Sequence, residues 1–181
     1  MCGFLVCYDR TVVRPRKDFL TTAAKSKWRG PDHTGYSEAR DGTVKFCHHR
    51  LAIIDLSVHS NQPLLSICGR YTLVYNGEIY NYQELAASLH VELSTDSDSV
   101  FLLEAFIKYG PGILAHLRGM FSFVVYDHVK GSFFAARDQL GVKPLFFHTS
   151  RKGLYFGSEA SDVAELCGAS FDSESFGEWE C

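Results

Sequence analysis

Cys2 stands directly behind the initiator methionine and ahead of Gly3. Removal of Met1, which small second residues commonly permit, would leave one residue carrying both a thiol and a free α-amine. Their unperturbed pKa values, about 8.5 and about 8, let the two exchange a proton close to neutral pH. Nucleophile and base would then share a residue, and Gly3 would let the backbone bend sharply around a reacting group. On this feature alone, a small buried cysteine is the commoner reading.

Three further stretches crowd polar chemistry where apolar runs end. Arg29-Gly30-Pro31-Asp32 contains a Gly-Pro step that a helix does not accommodate, so it reads as a loop with a charge at either end. It suits a lid or a surface turn with a solvated ion pair. His49-Arg50-Leu51-Ala52-Ile53-Ile54-Asp55 puts an arginine at the head of an apolar run. A guanidinium buried there needs an anion and suits a carboxylate bidentately, either a ligand's or a structural one such as Asp55. Tyr75-Asn76-Gly77-Glu78-Ile79-Tyr80-Asn81 carries an Asn-Gly step, ordinarily a hairpin turn. The Asn76 amide beside the Gly77 N–H also makes a two-donor oxyanion hole. Cys47-His48-His49 is the nearest approach to a metal cluster, but neighbours on a strand point to opposite faces, and no metal site is expected.

The elements that must position these groups read mostly as strands. Short runs rich in Val, Phe, Tyr and Ile occupy 3–8, 44–54, 71–75, 121–126, 132–136, 145–148 and 154–156. Lys130-Gly131 suggests a hairpin, hence antiparallel pairing. Helices are expected at 19–25, 82–89 and 98–109, the last with Val100, Leu102, Leu103 and Phe106 on one face and Ser97 or Asp98 as its N-cap. Strands before and after a helical pair point to layered α and β packing rather than parallel winding. The 181 residues fit one domain, and 171–181 read as an acidic tail or linker. A formal charge of −3 gives no basic field for nucleic acid or an anionic membrane. No apolar run approaches the roughly 20 residues of a membrane span, and no signal peptide is evident. Six cysteines without a CxxC pair are expected to stay reduced, in the cytoplasm.

The ordered set of motifs resembles the class II glutamine amidotransferase domain, and most of all the N-terminal part of asparagine synthetases. It comprises Met1-Cys2-Gly3, Arg29-Gly30-Pro31-Asp32, the 50–55 and 75–81 stretches, Gly119-Met120-Phe121, Ala136-Arg137-Asp138, Gly141-Val142-Lys143-Pro144-Leu145 and Ser158-Glu159. The resemblance implies an α+β fold, a four-layer αββα sandwich of two mostly antiparallel sheets, as in N-terminal-nucleophile hydrolases. It implies that Cys2 attacks the side-chain amide of glutamine, with Asn76 and the Gly77 N–H holding the oxyanion. Arg50 would grip the α-carboxylate, assisted by main-chain groups of Leu51, Ala52, Ile53 and Ile54, while Glu78 and Asp98 hold the α-amine. An ungapped comparison over 97–110 selects Asp98 over Asp96. The implied reaction yields glutamate and ammonia through a γ-glutamyl thioester, needs no metal or organic cofactor, and feeds an ATP-dependent synthetase domain or subunit. The Ser-Gly-Gly-x-Asp-Ser loop of that second domain does not occur in these residues, so 1–170 is expected to be the amidotransferase domain alone. A protease or acylase, or a catalytically silent interaction domain of a synthetase complex, are the alternatives. Arg50 with Glu78 and Asp98 favours a free amino acid over the first, and Cys2 itself argues against the second.

Overall fold

The computed structural model describes residues 1–53, 55–93 and 95–168. One sheet is ordered β2 (His33–Ala39), β3 (Val44–Arg50), β1 (Gly3–Asp9), β9 (Gly153–Gly157) and β8 (Phe146–Thr149). The other is ordered β4 (Leu64–Leu65), β5 (Tyr71–Ile79), β6 (Gly119–Asp127) and β7 (Ser132–Arg137). Every paired neighbour is antiparallel. Helices α1 (Arg16–Ala23) and α4 (Ala160–Cys167) cover the first sheet, and α2 (Tyr82–Ser88) and α3 (Asp98–Tyr109) cover the second.

Strand alternation sorts the apolar side chains into three cores and so into four layers. Leu5, Cys7 and Cys47 pack outward on Phe19 and Val163 of the helices. Leu73, Tyr75, Phe121 and Phe123 pack outward on Phe101 and Leu102. The intervening positions Phe4, Val6, Phe46, Val74, Val124 and Tyr126 meet between the sheets. Both faces of the central strands are buried, which is why they read as continuous apolar runs rather than alternating ones. The αββα expectation therefore holds.

Several local expectations need correction. The 44–54 run is not one strand: β3 stops at Arg50, where Asp32 N–H donates to the Arg50 carbonyl and the Asp32 carboxylate accepts from Ala52 N–H. Beyond it Ile53 is 73% exposed. The Asn-Gly step makes no turn, because Asn76 and Gly77 pair with Ser122 and Phe121 inside β5. Strands β2 and β4 and helix α4 lay outside the expected elements. The Lys130-Gly131 hairpin and the span of α3 are as expected. Ser97 holds the cap position of α3 but makes no capping bond, its hydroxyl pairing with Ser99 instead. None of the described helices is long and apolar enough to cross a membrane. The expected tail at 171–181 lies outside the described residues, as does Ile54.

Candidate active site

The interlayer positions change chemistry at one end of the sandwich. Two residues before Phe4 on the same face comes Cys2; two and four after Phe46 come His48 and Arg50. Two and four after Val74 come Asn76 and Glu78, and two before Val124 comes Ser122. A cavity of about 120 Å³ opens here, lined by Cys2, Arg50, Leu51, Ile53, Asn76, Gly77, Glu78 and Asp98 among others. Of the expected site residues, Ala52 does not line it, and Ile54 lies outside the described residues.

Cys2 Sγ accepts from Leu51 N–H at 3.3 Å, and the thiol lies 3.6 Å from the Leu51 carbonyl. Burial raises the thiol pKa, against the opposing pull of the Leu51 N–H and the nearby positive charges. It therefore keeps its proton at neutral pH and needs a base to become a nucleophile. The residue is also gripped through its carbonyl, which accepts from Arg29 Nε at 3.0 Å. Arg29 in turn pairs with Glu159 at 2.5 Å, and a Cβ on Gly3 would come within 2.7 Å of the Arg29 side chain. Neither a lid nor a solvated ion pair describes this loop, since Arg29 is buried and its partner lies 130 residues away. Glu159→Gln would leave a buried guanidinium without its anion, a cost of about 3 kcal/mol. The melting temperature is expected to fall by roughly 6–12 °C by calorimetry. A shift below 2 °C would show that this pair behaves as an exposed one.

Asn76 is 1% exposed and its Nδ2 has no hydrogen-bond partner among the described residues. Buried unpaired donors cost stability, and this one belongs to a residue that lines the cavity with Cys2. Gly77 is required by packing, because a Cβ there would lie 2.5 Å from the Met120 carbonyl. The preceding Tyr75 is fixed at three points. Its N–H donates to Gln62 Oε1 at 2.6 Å, its carbonyl accepts from His48 Nε2 at 3.0 Å, and its hydroxyl donates to Asp98 at 2.6 Å. Burial pushes the His48 pKa down to about 3, so the ring is neutral near pH 7 and the proton it donates sits on Nε2.

Both signs of charge line the cavity. Arg50 donates through Nη1 to the Ser57 carbonyl and Asn61 Oδ1, both at 2.7 Å, and through Nη2 to the Asp55 carbonyl. The Asp55 carboxylate is engaged instead by Ser57 N–H and Ser60. Arg50 thus holds the 55–61 loop, yet among the described residues it has no carboxylate within 4.0 Å. Asp98, also in the lining, accepts from Tyr75 and from Ile79 N–H at 3.1 Å, while burial pushes its carboxyl pKa up. Glu78 lines the cavity too, without a side-chain hydrogen bond to the described residues. Asp96 is occupied by Tyr82 and Gln83 and does not line the cavity. Sequence reasoning missed the Arg29–Glu159 clamp, the His48 strut and Lys143, which also lines the cavity. The only hint was that Ser158-Glu159 and the 141–145 motif stood out without a role.

A family model described as a glutamine amidotransferase domain matches residues 1–178. A putative glutamine-hydrolysing asparagine synthetase of Mycobacterium tuberculosis H37Rv is 42% identical over 160 residues, covering 81% of this chain and 24% of the relative. Asparagine synthetase B of Escherichia coli K12 is 34% identical over 172 residues, covering 92% and 30%. The solved glutamine phosphoribosylpyrophosphate amidotransferase of Bacillus subtilis superposes with a TM-score of 0.73 over 95% of this chain and 44% of that one. At 17% identity that likeness speaks to the fold. The chain thus spans about a quarter to a third of the curated relatives it matches, and with the family model covering nearly all of it, it belongs to the glutamine amidotransferase domain family, class II type.

Proposed function

We propose that this chain hydrolyses glutamine to glutamate and ammonia through a γ-glutamyl thioester on Cys2. The ammonia would go to an ATP-dependent synthetase domain or subunit of the asparagine synthetase type. After Met1 is removed, the Cys2 α-amine takes the thiol proton and the sulfur attacks the side-chain carbonyl carbon. Negative charge developing on the carbonyl oxygen is met by Asn76 Nδ2 and the Gly77 N–H. Collapse of the adduct expels ammonia, which carries off the proton held by the amine, and water then cleaves the thioester. Arg50, with main-chain groups of Leu51 and Ile53, takes the α-carboxylate, and Glu78 and Asp98 take the α-ammonium. The working unit is 1–170, and the cytoplasm, where thiols stay reduced, suits a thiol nucleophile.

The observation that carries this reading is the unpartnered Asn76 amide in the cavity that also holds Cys2. Intact-mass measurement combined with an ammonia-release assay tests it: the active chain should lack Met1. Full activity in a chain retaining Met1 would overturn the amine mechanism.

Arg50 supplies a sharper discriminator. Arg50→Ala is expected to lower kcat/KM for glutamine roughly ten- to hundredfold, the worth of a charge-assisted hydrogen bond. It should also lower stability, because the guanidinium anchors the 55–61 loop. Arg50→Lys should be impaired less. The parent should discriminate strongly against glutamine with its α-carboxylate converted to an amide, and Arg50→Ala should treat the two almost alike. Persistent discrimination in the mutant would return Arg50 to a purely structural role.

A further inference from the structure

The Ala136-Arg137-Asp138 and Gly141-Val142-Lys143-Pro144-Leu145 motifs take no part in the chemistry above, yet they build one device. The Asp138 carboxylate accepts the N–H groups of Phe121, Leu140, Val142 and Lys143 at 2.9–3.2 Å. Arg137 closes the same loop from the other side, donating to the carbonyls of Gly141 and Lys143. Gly141 completes it with φ +63°, where a Cβ would also press on Arg137. A loop tied this closely holds Lys143 in one place: 6% exposed, lining the cavity with Cys2. Its Nζ lies 3.3 Å from Met1 Sδ. Among the described residues no carboxylate lies within 4.0 Å of that ammonium, and a thioether is a weak acceptor.

We propose that Lys143 is a positioning residue that acts through the Cys2 α-amine: once Met1 is gone, its buried ammonium faces the new terminus and keeps the amine neutral. This rests on the reading of Cys2 as the nucleophile of glutamine hydrolysis. An ordinary α-amine, with a pKa near 8, is about nine-tenths protonated at pH 7 and a poor base there. A like charge in a desolvated site disfavours the protonated form. The other charges around the site are Arg50 at the end of β3, Asp55 in the loop after it, Glu78 on β5 and Asp98 at the start of α3. Arg29, behind the Cys2 carbonyl, is paired with Glu159. Bound glutamine would balance Arg50 with its carboxylate and one of Glu78 and Asp98 with its ammonium, leaving Lys143 as the cation of the lining that no ligand charge meets.

The test is the pH profile of kcat at saturating glutamine, whose acid limb reports the base in the enzyme–substrate complex. Full chains of the parent, Lys143→Met, Lys143→Gln and Lys143→Arg are compared, each checked by intact mass for removal of Met1. Both neutral variants are expected to move the acid limb up by about one pH unit. They should lose roughly five- to tenfold at pH 6.5 and less than twofold at pH 9, while Lys143→Arg keeps the parent limb. An unmoved limb, or an equal loss at every pH, would overturn the proposal, as would retention of Met1 only in the neutral variants. A parent no more active than Cys2→Ala would instead sink the hydrolysis reading, and this inference with it.

Discussion

Cys2→Ala is expected to abolish ammonia release from glutamine while the melting temperature stays within about 4 °C of the parent. The sulfur accepts one main-chain N–H and faces a cavity, so its loss deletes a reacting atom and little packing, worth about 1 kcal/mol. Cys2→Ser should retain only a trace of activity. A hydroxyl is a far weaker nucleophile, and the amine paired with it is matched to a thiol. Both variants should still bind glutamine, because the groups proposed to hold its termini are untouched. Hydrolysis by Cys2→Ala at the parent rate would place the nucleophile elsewhere.

The second large effect belongs to Asn76. Asn76→Ala is expected to lower kcat roughly a hundredfold or more and to leave KM within a few-fold, the pattern of a donor engaged mainly in the transition state. Among the described residues Nδ2 has no partner to lose. The catalytic defect should therefore come without the thermal penalty that usually follows loss of a buried hydrogen bond. Steady-state kinetics with calorimetry on the same preparation measures both. A defect confined to KM would make Asn76 an ordinary binding group.

The layered α+β architecture was legible because the central strands are buried on both faces and leave continuous apolar runs, as in β1 and β6. Helix α3 was legible for its apolar stripe. Strand β2, His-Thr-Gly-Tyr-Ser-Glu-Ala, was not, since it lies at a sheet edge and owes its conformation to pairing with β3 rather than to its own pattern. The Asn-Gly step misled in the other direction: nine consecutive pairings with β6 override a local turn preference. At the site, residue types singled out Cys2, Asn76, Arg50 and Glu78 as candidates, each with a structural alternative that only the ordered set of motifs outweighed. Asp98 needed a family comparison to be preferred to Asp96, and the structure separates them by their partners. What no local pattern could disclose is that Arg29 meets Glu159, or that Lys143 turns inward. Both depend on segments brought together only by the completed fold.

Strand β1, which follows the proposed nucleophile Cys2, is synthesised before both of the strands that flank it, β3 and β9, and Leu5 pairs with Gly157. On a ribosome adding roughly 5–20 residues per second, the last of these partners arrives on the order of 8–30 s after the first. During that interval β1 lacks one of its two neighbours, and the Cys2 carbonyl lacks the Glu159 that steadies its arginine. Any aminopeptidase trimming ahead of Cys2 has that window of unobstructed access. Closure around Cys2 is thereby held back until Glu159 has been made, after the leading methionine has had its chance to leave.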